Sequence, residues 1–184
     1  MTDKPPPEAL TLERVPTPIG EALVVTDEAG VLRAFNWHDY EPAMRRWLSR
    51  RYASVPVAEG RGPLRMKIEA YFSGDIGGLD AIPWQGAGTG FQQSVWAALC
   101  TIPVGETLSY AGLAARIGRP TAVRAVGLAN GANPVSLVVP CHRVIGSNGS
   151  LTGYGGGLER KRWLLEHERA SRREERDPSP FALR

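Results

Sequence analysis

The chain has 184 residues, of which 42% are hydrophobic and 22% are charged, so it can form one or two ordinary globular domains. It contains no run of about 18 apolar residues and no apolar segment near its N-terminus, so the sequence predicts neither a membrane span nor a secretory signal. Two cysteines, Cys100 and Cys141, are too few for a disulfide framework and suit the reducing cytoplasm, where we expect the protein.

The charge is unevenly distributed along the chain. Residues 1–88 have 10 Lys and Arg against 12 Asp and Glu, whereas residues 89–184 have 12 against 7, a net charge of +5. This excess is compatible with a solvated surface and a charged tail, and equally with a polyanionic partner such as nucleic acid.

The first half reads as a small α/β scaffold without visible chemistry. We expect disorder over residues 1–16, where three consecutive prolines disfavour regular structure, and an N-terminal domain over residues 17–85. The spacing of the apolar residues predicts strands over 21–26, 31–37 and 79–84, and helices over about 41–52 and from 64 to a C-terminal glycine at 74. The glycine-rich segment 85–90 reads as a linker.

The second domain, over residues 89–168, begins with a predicted amphipathic helix. Two shorter helices follow, over 109–118 with Ser109 as N-cap and over 121–130, and together they form a helix-turn-helix pattern. The second of these helices carries mostly small residues, with Arg124 as its one long cationic side chain. Such a face suits sequence-neutral contact with the narrow minor groove of DNA, although a well-packed interior helix with one solvent-facing arginine has the same pattern.

A reactive thiol is the chemistry that the sequence offers. The apolar run 135–139 predicts a buried strand that Pro140 ends and that delivers Cys141 to its tip. Most free cysteines are small buried hydrophobes, but a thiolate near neutral pH needs a base or a positive neighbour, and His142 and Arg143 follow directly. A last helix brings Glu168 near its C-terminal end, from which it could orient His142. A charged tail, predicted to be frayed, follows over 169–184.

Two other functions fit the same residues. A cysteine hydrolase would use His142 on a covalent acyl intermediate, although adjacent side chains usually diverge along an extended chain. A non-catalytic helix-turn-helix DNA binder would need neither the thiol nor so featureless a second helix. The histidines and cysteines show no paired ligand spacing, so we expect no metal and no cofactor.

Six motifs resemble those of a known family, the O6-alkylguanine-DNA alkyltransferases, also called methylated-DNA–protein-cysteine methyltransferases, and most of all the bacterial Ogt type. The motifs are Phe91-Gln92-Gln93-Ser94-Val95-Trp96, Ser109-Tyr110, Arg124-Ala125-Val126-Gly127, Asn133-Pro134, Pro140-Cys141-His142-Arg143-Val144 and Gly153-Tyr154. The resemblance is strong over 89–168, weaker over 17–85 and absent from the tail. It implies a ribonuclease H-like α/β domain followed by a mainly α domain with a winged-helix-like helix-turn-helix.

The resemblance implies DNA repair by an irreversible, single-turnover transfer of the alkyl group from O6-alkylguanine to Cys141. His142 resembles the base that reaches the thiol through a water, and Glu168 the group behind it. Asn133 resembles a brace of the turn between the DNA-binding helix and the thiol. Whether O4-alkylthymine is also a substrate stays open.

The resemblance also implies how the substrate is bound. Tyr110 looks like a donor to guanine N3, while the Val144 carbonyl and the backbone near Tyr154 and Gly155 would read the guanine edge. Gly155 departs from a serine of some relatives, which keeps a backbone contact but removes a hydroxyl.

The DNA partner implied is double-stranded and is bound through its minor groove by a monomer. Arg124 resembles a finger that fills the space of a flipped nucleotide. The residues expected beside it against the DNA are Thr121, Ala122, Val123 and Ala125.

Overall fold

A mixed four-stranded sheet, a two-stranded sheet and six α-helices make up the described part of the fold. The computed structural model describes residues 7–176 and the side chains of residues 7–172. The strands are β1 (Leu10–Thr17), β2 (Gly20–Asp27), β3 (Leu32–Trp37), β4 (Val57–Glu59), β5 (Leu108–Ser109) and β6 (Val144–Ile145). The helices are α1 (Glu41–Arg51), α2 (Arg65–Phe72), α3 (Gly90–Leu99), α4 (Tyr110–Arg116), α5 (Val123–Gly131) and α6 (Leu158–Arg176).

The sheet has the strand order β3-β2-β1-β4, with β1 antiparallel to β2 and parallel to β4. Successive residues of a strand point to opposite faces, and both faces are covered here. Leu23 and Val25 of β2 pack with α1, whereas Ala22 and Val24 join the larger core cluster formed with the helices of the second half. This two-sided burial explains why β2 is a nearly continuous apolar run.

Disorder was predicted over 1–16, but residues 10–16 form most of β1, a central strand of the sheet. Leu10 and Leu12 are almost fully buried, and this alternation outweighs the effect of the neighbouring prolines. Pro16 is tolerated because it lies beside the hairpin turn at the end of the strand. Residues 1–6 lie outside the described part of the chain.

The first two predicted strands and both helices of the first half are confirmed, with small shifts at their ends. The strand predicted over 79–84 is wrong, because only Trp84 makes a bridge, to Leu32. The surrounding residues form turns that bury Leu79 and Ile82 in the core. A short apolar run can fill a core without being extended.

The two halves share one hydrophobic core, to which Phe35 and Trp37 contribute from the sheet and Val95 and Val126 from the helices. The segment predicted as a linker is packed into this arrangement. A Cβ atom added at Gly88 would lie 2.5 Å from the ring of Trp96, so the indole is seated directly on the backbone there. The proposed domain borders therefore stay predictions.

In the second half, α4 and α5 reproduce the predicted pair of short helices joined by a turn. The hydroxyl of Ser109 accepts a hydrogen bond from the Gly112 amide, which confirms it as the N-cap of α4. Gly118 has φ of +70°, a conformation that favours glycine and ends the first helix.

The final helix extends further than predicted, since α6 continues to Arg176. The predicted frayed tail is thus wrong for residues 169–176, whose arginines and glutamates are good helix formers; residues 177–184 lie outside the described chain. Glu168 consequently lies inside a helix and not near its end. None of the described helices is both long and apolar enough to cross a membrane.

Candidate active site

Cys141 begins a 3₁₀ turn, Cys141–Arg143, that leads into β6. The preceding run 135–139 is buried as predicted, but it is not a strand. Its chain turns back on itself, with the Val139 amide bonded to the Val135 carbonyl at 3.0 Å and Leu137 at φ of +78°. Cys141 is only 4% exposed, so the turn holds it inside the protein. The short parallel β5–β6 ladder follows this turn.

Asn133 holds this turn together from the end of α5. Its side-chain amide donates to the Val139 carbonyl at 2.7 Å, and its carbonyl oxygen accepts from the Val135 amide at 3.0 Å. Both ends of the turn are thus bonded to one side chain. This connection links the position of Cys141 to the helix pair α4–α5.

Glu168 is the acceptor at the centre of a buried polar cluster. Its Oε1 accepts from His142 Nε2 at 2.9 Å, from Tyr71 Oη at 3.0 Å and from Arg143 Nη2 at 2.9 Å. Its Oε2 accepts from Arg143 Nε at 2.9 Å and from the Gly105 amide at 3.0 Å. The donors come from α2, from the loop after α3 and from the turn of the thiol, so Glu168 ties three segments together.

The cluster keeps Glu168 ionised although it is fully buried. Burial alone would raise the pKa of the carboxyl, but the donors on His142 and Arg143 outweigh it and lower the pKa well below the ordinary value of 4.5. Arg143 is held by a further bond from Nη1 to the Ile102 carbonyl at 2.7 Å. Each of the three guanidinium nitrogens of Arg143 therefore donates a hydrogen bond, which helps to offset the cost of burying the ion pair.

His142 is set up as a neutral base. Burial lowers the pKa of its ring below the ordinary 6.5, so the imidazole is uncharged at neutral pH. Its Nε2 faces the carboxylate of Glu168 and must carry the proton, which leaves a lone pair on Nδ1. This Nδ1 atom is buried and has no hydrogen-bond partner among the described residues.

The thiol of Cys141 needs such a base. Burial raises the pKa of the thiol above its ordinary value, although Asn133 and Lys161 act in the opposite direction. A thiolate is therefore scarce at neutral pH unless a neighbour removes the proton. Cys141 and His142 lie in a tight 3₁₀ turn and not in an extended strand, so the divergence expected of adjacent side chains along an extended chain does not apply to them.

Lys161 is buried beneath the loop that follows β6. Its ammonium group donates to the carbonyls of Val144 at 2.6 Å, Thr152 at 2.7 Å and Gly153 at 3.2 Å. Burial lowers the pKa of this group to about 8. Lys161 thus fastens the loop of Tyr154 to the strand that follows the thiol.

The residues expected to bind substrate surround this loop. The hydroxyl of Tyr110 donates to the Thr152 carbonyl at 3.2 Å, and Tyr154 is largely buried with its ring 6.4 Å from that of His142. Gly155 is exposed, and no atom lies within 4 Å of where its Cβ would be. The structure therefore groups Tyr110, Val144 and the loop near Cys141.

The predicted DNA-contacting residues form a separate group on α5 and the turn before it. Thr121, Arg124 and Ala125 are exposed, whereas Ala122 and Val123 are partly buried. This face of α5 is open to solvent, so the alternative of a helix packed in the interior does not hold for it. None of the five has a described hydrogen bond to the thiol turn.

The sequence alone did not reveal that Tyr71 and Lys161 belong to the site, nor that Arg143 is buried against Glu168. The helical period held a signal for one of them. Lys161 and Glu168 lie on the stripe of α6 that also carries the buried Leu164 and Leu165, so the helix places two charges on its apolar face. Tyr71 is 97 residues from Glu168, and no local pattern predicts such a contact.

No described group of three or more His, Cys, Asp or Glu side chains could hold a metal ion. The site thus presents a thiol, a neutral imidazole and a buried carboxylate that accepts a hydrogen bond from the imidazole. This arrangement can remove a proton from the thiol and make it a nucleophile.

Replacing Glu168 by Gln should lower the free energy of unfolding by about 3 kcal/mol, because Arg143 would remain buried without its counter-charge. The difference from the parent should be complete above pH 4.5, the ordinary pKa of a glutamate, and should shrink as the pH falls towards the lower folded pKa. Urea unfolding over a pH series measures both effects.

The matched control is Glu166→Gln, an exposed position on the same helix, where the change should stay within about 0.5 kcal/mol. Equal stability of the two variants would mean that the buried cluster contributes nothing to folding.

Comparisons with known proteins identify the family of the chain. Residues 90–170 match the family model described as 6-O-methylguanine DNA methyltransferase, DNA binding domain. The methylated-DNA–protein-cysteine methyltransferase of Salmonella typhimurium is 49% identical over 160 residues, which are 85% of this chain and 94% of that protein. The protein of the same name from Mycobacterium tuberculosis is 50% identical over 131 residues, 71% of this chain and 74% of its own.

Among solved structures, that of Mycobacterium tuberculosis OGT in complex with DNA superposes with a TM-score of 0.74 at 41% identity, covering 88% of this chain and 94% of that one. Identity at this level extends across both halves of the chain and beyond the motifs around the thiol. The chain belongs to the methylated-DNA–protein-cysteine methyltransferase family.

Proposed function

We propose that this protein repairs DNA by transferring the alkyl group of O6-alkylguanine to its own Cys141, once and irreversibly. The observation that carries the proposal is the buried thiol followed by His142, whose ring is oriented by an ionised Glu168. The family membership and the DNA complex of a relative support the same reaction.

The reaction balances with the residues of this chain alone. The Cys141 sulfur attacks the alkyl carbon, the new C–S bond replaces the C–O6 bond, and the electron pair of that bond goes to the guanine. The thiol proton passes to His142 Nδ1, in our proposal through one water, and the departing guanine gains one proton in turn. The product is a thioether, which none of the neighbouring groups can hydrolyse.

The loop beside the thiol supplies the substrate pocket in this proposal. Tyr110 donates to guanine N3, and the Val144 carbonyl, which has a second lone pair beyond its bond to Lys161, reads an amino edge. The backbone near Tyr154 and Gly155 completes the recognition. Because Gly155 lacks a side chain, only its backbone can serve as a donor.

In this proposal α4 and α5 bind the DNA as a helix-turn-helix of the winged-helix type. The four-stranded sheet of the first half belongs to a ribonuclease H-like domain. The exposed small residues of α5 let its backbone approach the minor groove, and the basic second half favours a polyanion. A base cannot react while it is stacked, so the alkylated guanine must be flipped out. We further propose that the protein acts as a cytoplasmic monomer.

Stoichiometry tests the proposed reaction directly. Incubation with excess duplex DNA containing O6-methylguanine should add the mass of one methyl group to the protein, on Cys141, and then stop. Intact-mass and peptide mass spectrometry measure the amount and the position. Cys141→Ala should still bind DNA and remain unmodified.

Repeated turnover would instead favour a cysteine hydrolase. A methyl group on the exposed Cys100, or binding without any transfer, would also contradict the proposal.

Arg124 should be needed for extrusion of the base and not for the chemistry. Its side chain would occupy the gap left by the flipped nucleotide and offset an unstacking cost of about a few kcal/mol. Arg124→Ala should therefore slow the single-turnover reaction with duplex DNA at saturating protein, while the reaction with free O6-methylguanine base stays unchanged.

Arg119→Ala is the matched control, since it removes an exposed positive charge from the turn just before α5. It should weaken DNA binding at low salt without changing the saturated rate. If Arg124→Ala behaves like this control, or slows both substrates equally, the finger role is wrong.

A further inference from the structure

We propose that Arg160 positions the substrate loop by clamping it to the sheet of the first half, so that this sheet helps to determine the affinity for guanine. The inference rests on the function proposed above, in which the loop around Tyr154 and Gly155 contacts the base. It assigns a task to a residue that makes no hydrogen bond to Glu168 or to the turn of Cys141, and to the sheet of the first half.

The guanidinium of Arg160 joins three separate segments. It donates from Nη1 to the Gly156 carbonyl of the loop at 2.9 Å and from Nε to the Ile19 carbonyl of the β1–β2 turn at 2.8 Å. It also forms a two-pronged pair with Asp39, at 2.8 and 2.9 Å, just after β3. The planar fork of arginine suits this geometry, which a lysine cannot reproduce.

The guanidinium of Arg160 is packed between the Trp37 ring and the backbone at Gly20. Its central carbon lies 4.8 Å from the centre of the Trp37 ring, close enough for cation–π attraction. Gly20 has φ of +114°, and a Cβ there would lie 3.0 Å from the Arg160 Nη2 atom. The hairpin turn thus adopts a glycine conformation where the guanidinium approaches its backbone.

The loop itself is seated on the same tryptophan. A Cβ atom added at Gly156 would come within 2.3 Å of Trp37 Nε1, so only glycine permits this approach. The Gly156 backbone therefore packs against Trp37 of β3 and also accepts a hydrogen bond from Arg160. Displacement of the loop would break both contacts together.

Arg160 and Lys161 fasten opposite ends of the loop. Lys161 binds the carbonyls of Thr152 and Gly153, and Arg160 binds that of Gly156. The residues proposed to touch guanine, Tyr154 and Gly155, lie between these two attachments. Loss of one attachment should increase the range of conformations that Tyr154 and Gly155 adopt. It should not move the turn of Cys141 and His142, which is fixed through Glu168.

The ion pair with Asp39 mainly orients the guanidinium of Arg160 and contributes little to the stability of the fold. Hydrogen bonding to Arg160 lowers the pKa of the Asp39 carboxyl, so it stays charged at neutral pH. Its side chain is 53% exposed, and a pair so open to solvent adds little to stability. Losing Arg160 should consequently affect the order of the loop more than the folding of the chain.

The test uses Arg160→Met in the full chain, with Arg162→Met as the matched control at an exposed position of the same helix. Single-turnover alkylation is measured against the concentration of free O6-methylguanine base, which needs no DNA binding. We expect the half-saturating concentration to rise about tenfold for Arg160→Met, with a smaller rise for Asp39→Asn and partial recovery for Arg160→Lys.

Two further readouts separate positioning from general damage. The rate of Cys141 alkylation by iodoacetamide and its pH profile should match the parent, since His142 and Glu168 are untouched. Hydrogen exchange of the amides over 152–157 should accelerate in Arg160→Met and not in Arg162→Met.

Unchanged exchange in the loop, or unchanged half-saturation by the free base, would overturn the clamp. A changed iodoacetamide profile would do so as well, since the effect would then lie in the thiol cluster. If the parent protein accepts no alkyl group from O6-methylguanine in DNA or as the free base, the proposed function fails, whereas hydrogen exchange still decides whether Arg160 holds the loop.

Discussion

The buried charge of Glu168 is the constraint on which the rest of the site depends. A carboxylate removed from water is costly unless donors replace the lost solvation, and here they come from α2, from the loop after α3 and from the thiol turn. The chain must therefore bring these distant segments together to satisfy one side chain. The same contacts that make the charge tolerable fix the position of His142.

The properties of the nucleophile follow from that arrangement. With Glu168 accepting from Nε2, the imidazole presents its lone pair on Nδ1, and burial keeps it neutral. Burial raises the pKa of the thiol, and in the proposed reaction this imidazole is the base that removes its proton. Tyr71 donates to the same carboxylate oxygen as His142, so the first half of the chain helps to hold this carboxylate in place and also shares the hydrophobic core with the second half.

Local patterns predicted much of this protein, and tertiary contacts account for what they missed. Period-3.6 and period-2 spacing located the helices and two strands of the first half, and the Pro-Cys-His-Arg motif located the thiol. The run 135–139 looked like a strand because apolar content does not distinguish a buried turn from an extended segment. The strand over residues 10–16 was not predicted, because the nearby prolines indicate disorder more strongly than the alternation of Leu10 and Leu12 indicates a strand.

The hydrogen bond to Glu168 should hold His142 as a neutral imidazole with its lone pair on Nδ1. Nitrogen-15 NMR of the labelled His142 ring, with His142→Gln to assign the signals, measures this state over a pH series. We expect Nε2 to be protonated, Nδ1 to be unprotonated, and the ring to remain neutral as the pH is lowered through 6.5, its ordinary pKa. A proton on Nδ1, or a ring already charged above pH 6.5, would contradict the account.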